Sequence, residues 1–232
     1  MEWQDDALVL ASRPQGESSA LAILLTNAHG RHAGLVRGGR SGRQRSTLEP
    51  GTQVVARWRA RLPDQLGTLT LEPVRSAGAA LFNHPRQLAT LVSACALVAD
   101  GLQDRDPHPT LYQSLLALFT ALEQPAWAEA YVRWEVGLLA ELGFGLELSA
   151  CTVTGATTDL RYVSPRTGRA VSQTAAGPWG NRLLALPGFL IGTGSGGDQE
   201  VAAGLALTGH FLENHLPRGL PGPRRRLAAM IG

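Results

Sequence analysis

Arg57, Arg59 and Arg61 alternate with Ala56, Trp58 and Ala60 along one short stretch of this chain. On a β-strand successive side chains face opposite ways. The spacing therefore predicts three guanidinium groups on one face and an apolar row, Val54, Ala56, Trp58, Ala60 and Leu62, on the other. Residues two apart on a strand stand roughly 6.6 Å from each other. That is comparable to the separation of phosphates on a stretched single strand of nucleic acid. Guanidinium groups contact phosphate bidentately and stack on bases. The chemistry this pattern supports is electrostatic: gripping a polyanion by its backbone.

The surrounding composition strengthens that reading. Residues 31–61 hold eight arginines, Arg31, Arg37, Arg40, Arg43, Arg45, Arg57, Arg59 and Arg61, and a single acid, Glu49. The net charge of the chain is only +2, so the distribution and not the total is informative. All 21 basic residues are arginine. Arg40, Arg43 and Arg45 fall in segment 38–47, which has glycines and serines and no apolar residue, and reads as a loop able to close over a bound strand. The competing reading of the same residues is a solvated charged face beside a mobile linker.

The elements that must position this row follow from hydrophobic periodicity. Apolar strands are predicted at 6–12, 20–26, 32–37, 52–62 and 66–74, with turns at 27–30 and at Pro63-Asp64. Segment 20–26 is apolar on both faces, as in a strand covered on two sides. Five strands without helical periodicity predict a small closed barrel. From residue 85 the period changes, and helices are predicted at 85–100, 110–123, 126–142 and 199–215. In the third, Trp127, Ala130, Tyr131, Trp134, Leu138 and Leu142 form one stripe, read as core packing in preference to a base-stacking platform. Segment 151–177 reads as an irregular insertion. Arg224, Arg225 and Arg226 near a Pro/Gly-rich end read as a frayed, solvated tail.

Other chemistries find little support. The glycine-rich segment 192–197 lacks the Lys-Ser/Thr pair of a phosphate loop, and the chain contains no lysine. Ser18 and Ser19 sit in no nucleophile elbow, and no paired carboxylates suggest acid/base catalysis. His29, His32, His210 and His215 lack a third metal ligand at suitable spacing and read as structural or exposed. Two cysteines, Cys95 and Cys151, suggest no disulfide framework, and a reduced, cytoplasmic setting is expected. Neither a secretory signal nor an apolar run long enough to span a membrane is visible.

Several short motifs occur in an order that resembles the RecO family of bacterial recombination-repair proteins. They are Asp6-Ala7-Leu8-Val9-Leu10, Gly16-Glu17-Ser18-Ser19-Ala20, His29-Gly30-Arg31, Gly34-Leu35-Val36-Arg37-Gly38-Gly39-Arg40 and Leu48-Glu49-Pro50-Gly51. Trp134-Glu135, Leu142-Gly143-Phe144, Cys151-Thr152-Val153-Thr154-Gly155 and Val163-Ser164-Pro165-Arg166-Thr167-Gly168 follow. Each is weak alone; their joint order is specific. The resemblance implies an α+β chain: an OB-fold barrel at 1–77, a helical domain at 78–150, a degenerate zinc-ribbon-like loop at 151–180, and a C-terminal helix and basic tail at 181–232.

It also implies a non-enzymatic DNA repair and recombination mediator. Such a protein binds single- and double-stranded DNA, anneals complementary strands, contacts the C-terminal tail of SSB and RecR, and assists RecA loading. The DNA-binding residues expected are the eight arginines above together with Arg166 and Arg169; Arg133 is the candidate to receive the SSB tail. An RNA-binding OB protein and a non-catalytic protein adaptor remain open alternatives.

One departure from the resemblance bears on cofactors. Where several relatives carry two C-x-x-C zinc pairs, this chain reads Cys151-x-x-Thr154 and Ser172-x-x-Ala175, with 17 residues between the pairs. Thr, Ser and Ala cannot replace thiolates as tight zinc ligands. The expectation is a ribbon-shaped loop without metal, held by strands near 161–164 and 170–172, and no cofactor.

Overall fold

A computed structural model describes residues 1–231 apart from Pro63 and Ser195. Pro63, of the predicted turn, Ser195, of the glycine-rich segment, Gly232 and the side chain of Arg43 lie outside the described residues. The chain forms two compact units, Met1–Pro125 and Ala126–Gly232.

In the first unit, β1 (Glu2–Gln15), β2 (Ser19–Thr26) and β3 (Gly30–Val36) form a meander. A short helix α1 (Gly42–Arg45) and a 3-10 turn, Ser46–Leu48, lead into β4 (Thr52–Arg59), which pairs with β5 (Thr68–Ser76). The strands close into a barrel in the order β1-β2-β3-β5-β4. Neighbours are antiparallel except for β3 and β5, which meet in parallel at Leu35 and Thr68. This is the OB-fold topology.

The interior is filled by the inward members of each alternating strand: Ala7 and Val9, Ala22 and Leu24, Val54, Ala56 and Trp58, Leu69 and Leu71. Two glycines make room for the largest of them. A Cβ on Gly34 would stand 2.6 Å from the Leu69 side chain, and one on Gly67 would stand 2.4 Å from Nε1 of Trp58. Gly67 also has φ +68°, a conformation that favours glycine. Trp58 Nε1 donates to the Leu66 carbonyl at 3.0 Å, so its polar edge is satisfied although the ring is buried.

Leu8 and Leu10, which alternate with Ala7 and Val9, are buried as well, because the helix Pro85–Gly101 packs on β1 and β2. A one-turn helix α2 (Ala77–Ala80) precedes α3 (Pro85–Gly101), and α4 (Pro109–Ala121) follows. Pro85 opens α3 at a position where its missing N–H costs nothing. The second apolar face of β2, legible in its sequence, is thus covered from within the same unit.

The second unit holds α5 (Trp127–Glu141), β6 (Leu160–Val163), β7 (Ala170–Ser172), a one-turn helix α6 (Gln173–Ala176), β8 (Leu184–Ala185), α7 (Asp198–His215) and α8 (Gly222–Ile231). The strands form a small antiparallel sheet in the order β7-β6-β8. α5 packs on α7, and α7 on α8. Tyr131, Trp134 and Leu138 of the α5 stripe are buried, as core packing requires.

Three expectations are corrected. Segment 38–47 is not an open loop: it folds into α1 and the start of a 3-10 turn, because Thr47 and Leu48 are buried and anchor it. The predicted strand 52–62 ends at Arg59, so Arg61 lies beyond it. Arg224, Arg225 and Arg226 do not form a frayed tail. They belong to α8, and Arg224 is 1% exposed. Its guanidinium donates to both oxygens of buried Glu135 at 2.5 and 3.0 Å and to the Leu205 carbonyl at 2.8 Å, while Thr208 donates to the same carboxylate at 2.5 Å.

Candidate nucleic-acid interface

The β4 row is built by strand alternation and by its neighbours' register. Arg57 stands opposite Gln4 of β1 and Thr70 of β5; Arg59 stands opposite Glu2 and Thr68. Both arginines are exposed, while Ala56 and Trp58, which alternate with them, are buried. Arg57 Nη2 donates to Gln4 Oε1 at 3.0 Å, which holds the guanidinium against the sheet. A cleft of about 520 Å³ opens on this face. Arg37 from the end of β3, Gln44 from α1, Arg57 and Arg59 from β4, and Thr68 and Thr70 from β5 contribute its polar wall. Val36, Leu69 and Leu71 contribute its apolar floor, and Glu2 lies at its rim.

The row is less free of acids than residues 31–61 alone imply. Glu2 Oε1 is 3.9 Å from Arg57 Nε, both side chains being more than half exposed. Asp6 and Glu72 flank Val55 on the same face. The outward surface of β4 is therefore graded, acidic beside Val55 and basic beside Arg57 and Arg59. An exposed pair at that separation is worth at most about 1 kcal/mol, too little to neutralise three converging guanidinium groups.

The remaining predicted residues divide by their surroundings. Arg37 joins the cleft, and Arg45 is exposed at the end of α1. Arg40 donates to the carbonyls of Gly16 and Glu17 at 3.2 and 2.9 Å, tying the α1 segment to the β1–β2 turn. Arg61 is exposed past the end of β4. Arg43 has its side chain outside the described residues. Arg31 does not line the cleft: its Nε donates to the Ala99 carbonyl at 2.7 Å and its Nη1 pairs with Asp104, so it fastens β3 to the end of α3. In the second unit, Arg166 and Arg169 are exposed in the β6–β7 turn. Arg133 is held by Glu129 at 3.3 Å and the Phe189 carbonyl at 3.2 Å, with its guanidinium 5.0 Å from the Phe189 ring centre.

Several features carried no sequence signal. Trp179 is 57% exposed with Arg182 stacked over it at 4.8 Å. A cavity of about 730 Å³ in the second unit is lined by Leu160, Leu186, Leu190, Arg161 and Glu200, among others. Inside the barrel, His32 is buried between Trp3 and Trp58, with edge contacts of 4.9 Å to each. Burial and, next, the charge of Arg105 bring its imidazole down from 6.5 to about 4. Neither ring nitrogen finds a hydrogen-bond partner among the described residues.

The four ribbon positions can be tested as a zinc site. Cys151 Sγ accepts from the Ser172 backbone N–H at 3.3 Å. Burial raises the Cys151 thiol, but hydrogen bonds from Thr154 and Ser172 outweigh it and bring it to about 6. Ser172 Oγ in turn accepts from the N–H of Ala175 at the start of α6. Three of the positions thus converge as a hydrogen-bonded cluster around one sulfur. Among the described residues no group of three His, Cys, Asp or Glu side chains could hold a metal. The donor set does not fit zinc.

The family model described as "Recombination protein O N terminal" matches residues 1–77, and that described as "Recombination protein O C terminal" matches residues 84–224. The chain belongs to the RecO family. A DNA repair protein RecO of Rhodospirillum centenum is 61% identical over 93% of this chain and 87% of its own length. One of Phenylobacterium zucineum is 52% identical over 98% and 95%, and one of Cereibacter sphaeroides 48% over 100% and 98%. The RecO match thus embraces both the barrel with its basic cleft and the helices of the second unit. Among the described residues no helix is long and apolar enough to cross a membrane.

Proposed function

We propose that this RecO-family chain serves DNA repair and recombination as a non-catalytic mediator. It binds single- and double-stranded DNA through the basic cleft of its barrel and anneals complementary strands. The observation that carries the reading is the convergence of Arg37, Arg57 and Arg59 on one cleft. Guanidinium groups so placed neutralise successive phosphates. Neutralised backbones repel each other less, so a complementary strand can approach and pair without ATP. Arg45 and Arg61, exposed on the same unit, and Arg166 and Arg169 supply auxiliary contacts.

The same reading includes contacts with the SSB tail, through Arg133, and with RecR, by which the protein assists RecA at SSB-coated gaps in the cytoplasm. Tethering to SSB raises the local concentration at gaps. No metal or other cofactor enters the mechanism, since one sulfur with two hydroxyls is a poor zinc set. The test is binding of a fluorescent single-stranded oligonucleotide across a salt series, followed by an annealing assay without nucleotide. Wild-type affinity should fall steeply with salt, and Arg57→Ala/Arg59→Ala should weaken binding and slow annealing. A flat salt dependence, or equal annealing rates, would remove the basis of the proposal.

A further inference from the structure

Among the described residues Gln44 is the one side-chain amide in the wall of the barrel cleft, and its Oε1 has no hydrogen-bond partner there. It projects from α1 among Arg37, Arg57 and Arg59, and its Oε1 is shut off from solvent without a hydrogen-bond partner among the described residues. A buried, unsatisfied amide oxygen is unfavourable, because it has given up water and gained no donor. Such groups are rare in folded proteins and point to a role. Arg57, which shares the cleft, donates to Gln4.

The chemistry of the missing partner can be narrowed. The group must donate a hydrogen bond. A phosphodiester offers acceptors only, so the phosphates that Arg37, Arg57 and Arg59 are suited to hold cannot satisfy Gln44. A nucleobase can. Every base presents a donor beside an acceptor on its pairing edge, and a side-chain amide presents the matching acceptor and donor. The terminal torsion of glutamine is broad, so the oxygen can turn into the cleft at little expense. The space, about 520 Å³, exceeds what a phosphate needs, and its floor of Val36, Leu69 and Leu71 is apolar, as a base face prefers.

We infer that Gln44 makes this cleft a nucleobase subsite, taking the pairing edge of one unstacked base while the arginines hold the flanking phosphates. The inference rests on the DNA-binding reading above and deepens it. Because all four bases carry the complementary pair, the subsite registers the presence of an unpaired base and not its identity. In a duplex that edge is already occupied. Gln44 is then a specificity-determining residue that favours single strands over double strands without reading sequence.

The experiment compares five ligands of equal length: single-stranded DNA and single-stranded RNA, each with its bases and with abasic sites, and duplex DNA. Each is titrated against wild type, Gln44→Ala and Gln44→Met, the last keeping side-chain bulk while removing both hydrogen-bonding atoms. Wild type should bind the base-bearing single strand about fivefold more tightly than the abasic one, the value of one amide hydrogen bond pair. Both variants should lose that margin and leave abasic and duplex affinities unchanged. Equal wild-type affinity for base-bearing and abasic strands overturns the subsite while leaving the phosphate grip intact. So does a preference for RNA that persists on an abasic RNA and disappears in Gln44→Met, because the donor is then the 2′-hydroxyl. If wild type binds none of the five, the DNA-binding reading itself falls, and the subsite with it.

Discussion

Arg57 and Arg224 are the same residue type put to opposite use in the two units. Arg57 stands on the outer face of the barrel, more than half exposed, with a neutral amide as its closest partner. Arg224 lies inside the second unit, 1% exposed, with both oxygens of Glu135, a backbone carbonyl and a threonine hydroxyl around it. Burial works against its charge, and Glu135 more than offsets it and keeps the guanidinium protonated. A charge in water is available to a ligand and contributes little to folding. A charge taken out of water is committed, because no ligand can match the partners that hold it. Location, not residue type, separates the exposed arginines of the cleft from the structural ones.

The comparison breaks most sharply at Arg224. Arg224→Ala leaves Glu135 buried without its counterion, and the second unit should lose about 3–5 kcal/mol. Denaturant unfolding followed by hydrogen exchange in α7 and α8 reads this directly. Replacing both partners, as in Glu135→Leu/Arg224→Met, should recover much of the loss, because apolar residues of similar size need no desolvated counterion. By contrast Arg57→Ala/Arg59→Ala should leave stability within about 0.5 kcal/mol. The pair should instead weaken single-strand binding by about tenfold and lower the slope of log affinity against log salt by about 1.4, at roughly 0.7 per lost phosphate contact. A double variant that melts early, or that keeps its salt slope, would place these arginines with Arg224 and not apart from it.

His32 supplies a third case: a buried base with no counterion. Its folded-state value, about 4, lies below the 6.5 of the unfolded chain. As pH falls below 6.5 the unfolded chain takes up a proton that the folded barrel refuses, so stability decreases with falling pH. The contribution is fully present above pH 6.5 and is lost progressively down to about pH 4. His32→Phe keeps a ring between Trp3 and Trp58 and should flatten that part of the pH profile, measured by thermal melting between those two limits. An unchanged slope would assign it to other groups.

What the sequence disclosed follows from the range of each physical signal. Strand alternation is local, so the faces of Val54, Ala56, Arg57, Trp58 and Arg59 were legible, as was the apolar stripe of Tyr131, Trp134 and Leu138. Register is non-local. Nothing near Arg57 in sequence announces that Gln4 and Glu2 will lie beside it, nor that Arg31 will meet Asp104 or Arg224 meet Glu135. Counting acids along 31–61 therefore missed Glu2, the carboxylate nearest Arg57, and Asp6 and Glu72 beside Val55. α8 carried a local signal that the arginine triplet obscured. Pro223 suits a first helical turn, and Leu227, Met230 and Ile231 follow at helical spacing. Gln44 gave none, since an unsatisfied amide is visible only once its surroundings are known.

The smallest expected effect tests the graded surface around the row. Glu2 occupies the rim where a phosphate would approach Arg57 and Arg59, and its carboxylate repels that phosphate as it attracts the guanidinium. Glu2→Gln preserves the side-chain shape and removes the charge. Since the pair is exposed and worth well under 1 kcal/mol, single-strand affinity should rise only about two- to threefold. The gain should appear at low salt and vanish as screening shortens the reach of the charge. Combined with Arg57→Ala/Arg59→Ala, the same substitution should give less than it does alone, because the guanidinium groups it would release are gone. An undiminished gain in the triple variant would mean that Glu2 repels DNA held elsewhere, and that the basic end of β4 is not where the strand lies.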